Sequence, residues 1–321
     1  MMKNSAGFRK LVFIILVLAA GQVLVKMPYV TSWGPGPNYN NFSVRTTVNV
    51  TEAYPEILNI SCNLGQPITL TAGGTQPVVC IVQVRDYNGG DTINGTNGSG
   101  VFNSTFYYVL NQSSDPDDNN VHYTNDSCSL NGTALGFYVN WSCSFDVWYY
   151  ANNGTWRVNA TVLDTHNQQN LTTSAIFNSS ISPLYALNVT DVIDYGSLFV
   201  GATSTDSVEA NVTNFGNMVI NVTVYGHGGD NATTGFGLAM VCEGRNLTVS
   251  NERFSINSTD LFDAMLPLAS AAQMIPNLTI DKQTADGVLI SNSTYWKLHI
   301  NVSDNPFGVC NGTVVFSAVA N

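Results

Sequence analysis

GFYVNWSCSFDVWYYANNGTWRVNATVL, residues 136–163, decides the fold class. Apolar and polar residues alternate from Val139 through Trp141, Cys143, Phe145 and Val147, the period-two pattern of a strand with one buried face. ANNG supplies turn residues, and TWRVNATVL then resumes a strand-like run. Similar runs precede it (SVRTTVNV from Ser43, then EILNISC, PITLT, PVVCIVQV and TFYYVL), and LTTSAIF follows. Gly, Asn and Asp turns separate them, which is the rhythm of a β-sandwich. After a seam at SSISP, residues 179–183, a second series begins: YALNVTDVI, SLFVG, SVEANVTN, MVINVTVYG, LAMVC, NLTVS, STYWKLHINV and TVVFSAVA. TDLFDAMLPLASAAQM is the one segment where a helix competes, and Pro267 inside it predicts a loop with a brief helical turn. The expected architecture is all-β, with two tandem immunoglobulin-like sandwiches over residues 51–182 and 183–321.

The composition agrees. Of 321 residues, 44% are hydrophobic and only 10% charged, against a usual share of about 25%. Net charge is -11, and Lys3, Arg9, Lys10 and Lys26 crowd the N-terminus, so the remainder is more acidic still. A body so poor in cations cannot neutralise a phosphate backbone, which excludes nucleic acid as a partner. Anionic membrane surfaces are disfavoured for the same reason.

Three cations precede LVFIILVLAAGQVLV, residues 11–25. This run is long for a secretory h-region and short for a membrane span. Residues 1–26 therefore read as a signal peptide or a membrane anchor, and any membrane contact is expected through them alone. Residues 27–41, MPYVTSWGPGPNYNN, are Pro- and Gly-rich and feed into the alternating SVRTTVNV. Residues 27–50 thus read as an extended lead and a candidate donor strand.

Asn-x-Ser/Thr acceptors occur at Asn41, Asn49, Asn59, Asn94, Asn97, Asn103, Asn111, Asn125, Asn131, Asn140, Asn153 and Asn159. They continue at Asn170, Asn178, Asn188, Asn211, Asn221, Asn231, Asn246, Asn257, Asn277, Asn292, Asn301 and Asn311. Random placement of the same residues would give only about seven. N-linked glycans at these positions would solubilise a surface that lacks charge. Because many acceptors lie in alternating runs, their side chains are expected to point outward. Six cysteines (Cys62, Cys80, Cys128, Cys143, Cys242 and Cys310) are even in number, without a CxxC pair, and favour three disulfides in a secreted chain. The domain split leaves Cys242 only Cys310. Among the other four, Cys62 with Cys80 and Cys128 with Cys143 are favoured, each closing a short loop between neighbouring strands.

No serine elbow, HExxH, phosphate loop or dinucleotide fingerprint is present, and His122, His166, His227 and His299 stand apart. No enzymatic activity is expected. The loop carrying Asp86, Asn88 and Asp91 offers oxygen donors of the type calcium prefers, as does DPDDNN at residues 115–120, and the competing reading of each is a solvated Asx/Gly turn. Apart from that calcium, no cofactor is expected. Trp148, Tyr149, Tyr150 and Trp156 could form a sugar-stacking platform or fill a core.

NVTEAYPEILNISC (49–62) followed by ITLTAGGTQPVVCIVQVRDYNGGDTI (68–93) resembles the opening of immunoglobulin-like domains in secreted surface proteins of small-genome archaea and related environmental lineages. DYGSLFVGATSTDSVEANVTNFGNMVINVTVYG (194–226), with STYWKLHINV (293–302) and NGTVVFSAVA (311–320), resembles the second domain of that architecture. More distantly, the arrangement is similar to archaeal thread and bundling-pilus subunits, which join by donating an N-terminal strand to the next subunit. The resemblance implies a secreted, glycosylated structural subunit of a surface filament or coat, partnered by copies of itself and in contact with other cells. An adhesin or lectin-like surface protein is the alternative.

Overall fold

The computed structural model describes residues 43–171 and 177–321. The expected signal or anchor segment, most of the Pro/Gly-rich lead and Asn41 lie outside the described residues. Residues 51–321 form one compact unit, and residues 1–50 form another. Within the second of these, 43–50, every described residue is exposed and none is in a strand. Among the described residues no helix is long and apolar enough to cross a membrane.

Where the alternating runs form ladders, the pairing is antiparallel. The first nine strands are β1 (Glu56–Cys62), β2 (Thr75–Arg85), β3 (Gly100–Tyr108), β4 (His122–Asn125), β5 (Ser129–Leu130), β6 (Tyr138–Trp148), β7 (Gly154–Leu163), β8 (Gln169–Leu171) and β9 (Asn178–Ile181). They make one sheet in the order β1-β2-β6-β5 and a second in the order β4-β3-β7-β8, with β9 also on β7. The ANNG turn carries the chain from β6 in one sheet to β7 in the other. Inward residues of β6, namely Val139, Trp141, Cys143, Phe145 and Val147, are all buried, while Asn140 and Asp146 face out. Phe106 of β3 stacks on Trp156 of β7 at 4.7 Å and meets Phe145 of the facing sheet at 5.7 Å. Such aromatic pairs add about 0.5–1.5 kcal/mol beyond the area they bury. Gly100 has φ +139° and lies where a Cβ would stand 2.7 Å from the Trp141 ring, so this position must be glycine.

The second series comprises β10 (Leu187–Val189), β11 (Val208–Asn214), β12 (Ile220–Gly228), β13 (Leu238–Cys242), β14 (Leu247–Thr248), β15 (Glu252–Ser255), β16 (Leu266–Pro267), β17 (Gln273–Ile280), β18 (Ser291–Leu298) and β19 (Cys310–Ala320). Its sheets run β10-β11-β18-β15-β16 and β14-β13-β19-β12-β17. Between them lies a second core, with Trp296 of β18 edge-on to Phe316 of β19 at 5.7 Å and beside Phe254 of β15 at 5.3 Å. The TDLFDAMLP segment makes a 3-10 turn at Phe262–Ala264 before β16, the brief helical turn expected of it.

Three disulfides form, Cys62–Cys80, Cys128–Cys143 and Cys242–Cys310. Cys62 and Cys80 are register partners across β1 and β2, Cys80 is in turn the partner of Cys143 on β6, and Cys242 faces Cys310 across β13 and β19. Cys62–Cys80 and Cys242–Cys310 thus brace neighbouring strands of one sheet, and Cys128, in the connection just before β5, is tied to β6.

No strand is shared between the two series, yet they lie against each other. Lys282 Nζ, just past β17, donates to Asn120 Oδ1 (2.7 Å) and to the Tyr150 carbonyl (2.9 Å). Tyr149 donates its hydroxyl to Gln283 and packs edge-on against Phe215 at 5.6 Å. Asn217 Nδ2 donates to the Ser182 carbonyl and its Oδ1 accepts from Leu184 N, which pins the seam itself.

Several expected strands do not pair. SLFVG (197–201) and the end of YALNVTDVI beyond Val189 run without a ladder, and PITLT contributes only an isolated bridge from Ile68 to Ile181. Alternation marks a segment able to be a strand, but a ladder also needs a neighbour at hydrogen-bonding distance.

The Cys242–Cys310 bridge, at a sequence separation of 68, closes the longest loop of the three. Loop-closure entropy assigns it about 4 kcal/mol. Replacing Cys310 with Ser should lower the melting temperature and let limited proteolysis cut first near residues 308–321, with the other two bridges still intact in unreduced peptide maps.

Candidate functional site

β19 is the anomaly of the fold. TVVFSAVA is among the most apolar runs in the chain, and the sheet order puts β19 between two neighbours, yet none of its residues is buried. The adjacent β12 is fully engaged with it, from Ile220↔Ala320 to Gly228↔Gly312. On the opposite side β13 pairs only at Val241↔Asn311 and Cys242↔Cys310. A Cβ at Gly312 would stand 2.0 Å from the Ala239 carbonyl, so β13 closes over the start of β19 and then departs. From Thr313 to Ala320 that edge has no partner strand among the described residues.

The phase of the ladder says which backbone groups are left. Gly229 N donates to the Asn311 carbonyl, whereas Gly226 N, on the alternate phase, donates to Ala269 away from β19. Odd positions of β19 therefore bond β12. The N–H and C=O of Val314, Phe316, Ala318 and Ala320 turn to the open side.

A groove runs beside this edge. One cavity of about 460 Å³ lies between Val189–Asp194 and Cys310–Phe316, and a second of about 490 Å³ continues it along Ile193–Leu198 to Leu298 and Ile300. The unpaired end of the YALNVTDVI segment thus forms the far wall. Glu252 of β15 faces into the groove from the opposite sheet, buried, with Tyr195 OH donating to Oε1 at 2.6 Å. Burial pushes the Glu252 carboxyl up from its ordinary 4.5 to about 7, against the lowering effect of the Tyr195 bond. Burial likewise raises the Tyr195 phenol well above its ordinary value.

The other residues singled out by the sequence are placed elsewhere. In the Asp86, Asn88, Asp91 loop, Asp86 Oδ1 accepts from Asn88 N, its Oδ2 accepts from Thr92 Oγ1, and Asn88 Oδ1 accepts from Ala53 N. The Asp86 oxygens serve their own loop, the arrangement of an Asx turn, and Asn88 ties it to the segment before β1. In DPDDNN, Asp117 Oδ1 lies 3.0 Å from His122 Nδ1 and accepts from Thr124 Oγ1, while Asp118 Oδ1 accepts from Asn120 N. Among the described residues no group of three or more His, Cys, Asp or Glu is placed to hold a metal. The aromatic cluster faces inward: Tyr149, Tyr150 and Trp156 are buried and Trp148 is half-buried, so they fill the core and the junction and offer no sugar platform.

Acceptor asparagines sit on the outer faces of the strands, as the alternation implies. Every described one is exposed or half-buried except Asn159, which is only 7% exposed although it alternates with the core residues Val158 and Ala160 of β7; its Oδ1 accepts from Ala160 N. Asn159 falls in the stretch Val158–Val162 of β7, where every residue is buried, so its sequon triplet does not mark a surface position. Sequence reasoning missed the open edge of β19 entirely, since nothing in TVVFSAVA records whether a second neighbour exists.

No protein-family model and no curated protein matches the chain. Among solved structures, the C-terminal domain of the Streptococcus agalactiae AgI/II polypeptide BspA aligns over 84% of this chain and 99% of its own, at 9% identity and a TM-score of 0.20. A superposition that loose carries no argument about fold or function.

Two outcomes follow from this geometry. Below its ordinary pKa the Glu252 carboxyl is protonated in both folded and unfolded chains, and its contribution is fully present. As pH rises from about 4.5 to 7 the unfolded chain ionises first and stability falls by on the order of 3 kcal/mol, levelling off above the folded value. Denaturant titrations across that range should show this fall, and Glu252→Gln should flatten it. Peptide mapping of the secreted protein should find Asn159 without glycan while Asn140 and Asn211, exposed on outer faces, carry it.

Proposed function

We propose that the protein is a structural subunit of an extracellular surface filament or coat, N-glycosylated on its outer strand faces and assembling by donation of an N-terminal strand to a neighbouring copy. One observation carries this reading. Ser43–Val50 is an alternating segment without a sheet: its residues are exposed and unpaired, with Val44 83%, Val48 85% and Val50 82% exposed. Single exposed valines are ordinary, but three on one side of an extended segment ask to be covered. Added to a sheet edge, such a strand satisfies its own backbone and its host's at once, and needs no charge. That suits a chain with few ions to offer. The three disulfides agree with an oxidising, extracellular setting. The role is structural rather than enzymatic, with no cofactor beyond the glycans and no nucleic acid; residues 1–26 provide any attachment to the membrane, and contact with other cells follows from a surface position.

Deleting residues 27–50 tests it. The truncated chain should keep its three bridges and its far-UV circular dichroism but remain monomeric in sedimentation and show no fibres or sheets by electron microscopy. Normal polymers from the truncated chain would refute strand donation.

A further inference from the structure

We infer that the second sandwich is one strand short, and that the strand it takes is Ser43–Val50 of another copy, seated along the open edge of β19 from Thr313 to Ala320. The inference rests on the strand-donation reading and supplies its acceptor.

The state of the core is the first argument. In the first sandwich the inward positions of the long strands β2 and β6 are buried along their whole length. In the second, the buried residues come mostly from β11, β12, β15, β17 and β18, whereas Val189, Ile193 and Tyr195 on one wall of the groove and Val314 and Phe316 on the other are only partly buried. A core left partly open along two facing walls, with a groove between them, has room for one further layer of side chains.

The backbone is the second argument. The free groups of Val314, Phe316, Ala318 and Ala320 are a row of unpaired donors and acceptors beside an apolar strip, the arrangement that captures an extended segment. Ser43–Val50 is as long as this edge. In extended form it places Val44, Thr46, Val48 and Val50 on one face and Ser43, Arg45, Thr47 and Asn49 on the other. Three valines then complete the core, while Arg45 and the acceptor Asn49 stay in solvent.

Another edge in the fold fits less well. A groove of similar volume beside β1 is lined by Asn59, Ser61, Thr155 and Asn178, and the core residues behind it, Ile60 and Cys62, are already buried. A strand added there would cover polar side chains and two glycan acceptors. Donation to a second copy also has a structural consequence. The chain enters the body at the first sandwich, where Ala53 N donates to Asn88 and the Pro55 carbonyl accepts from Asn170, whereas β19 belongs to the second. Each contact therefore joins the first sandwich of one subunit to the second sandwich of the next, a heterologous interface that propagates into an open filament.

The test uses the full chain from an oxidising, glycosylating host, prepared as a mixture of isotopically light and heavy copies, with a photoreactive benzoylphenylalanine in place of Val48. Irradiated polymer should yield crosslinked peptides joining 43–50 of one isotope to 310–321 of the other. Crosslinks between copies that land on a different strand overturn the acceptor and leave strand donation standing, whereas crosslinks only within one copy overturn both. A full chain that forms no polymer at all overturns both. As a second arm, Ala318→Pro removes one N–H directed at the open edge and none from the β12 ladder. It should reduce polymer at least tenfold with circular dichroism and the disulfide map unchanged, and polymer at the level of the unmodified chain would overturn the inference.

Discussion

A strand leaves water at no net cost only when each backbone N–H and C=O finds a partner, and that demand organises this molecule. With few charges and, among the described residues, no helix beyond short 3-10 turns, the chain has little but sheet ladders and apolar faces with which to build. Antiparallel pairing satisfies the backbone nearly everywhere: β2 is bonded to β6 along its full length, and β12 to β19 along nine residue pairs. Where a ladder stops short, at the far side of β19, the apolar core behind it is open as well. The unsatisfied backbone and the incomplete core are one defect seen from two sides.

The rest of the architecture keeps that defect in place. Cys242–Cys310 ties β13 to the first residue of β19, just where the two strands begin to diverge, so the edge cannot fray shut onto β13. Glu252 and Tyr195 put a hydrogen-bonded polar pair at the groove wall, where an uninterrupted apolar surface would favour collapse. At the junction, the buried Tyr149 and the half-buried Lys282, whose ammonium burial pulls down to about 8, hold the two sandwiches against each other. Force passed along a chain of such subunits would cross a braced connection rather than a bare linker.

Outer faces follow a different rule. Asn and Thr stand where most proteins place Lys and Glu, and the described acceptor asparagines alternate with core residues along strands such as β6 and β11. A polar uncharged face is soluble when glycans hydrate it. It also leaves apolar contact and backbone pairing as the means of association.

Period-two alternation, the positions of Gly and Asn turns and the cysteine spacing by themselves determined that this is an all-β chain, where its long strands fall and which cysteines are near in sequence, because those signals are local: each depends on residues within a strand or a single turn. The same locality explains the errors. SLFVG and the end of YALNVTDVI look as strand-like as LAMVC, but only the last meets a partner. Asn159 carries the same triplet as Asn140 and likewise alternates with core residues, yet it is buried, since whether an outer face stays open depends on distant segments packed over it. Only the tertiary structure decided that β19 has one neighbour along most of its length, that Glu252 faces a groove, and that the aromatic residues after β6 seal a junction. Each is a statement about which distant segment lies within hydrogen-bonding or van der Waals distance, and no run of adjacent residues contains it.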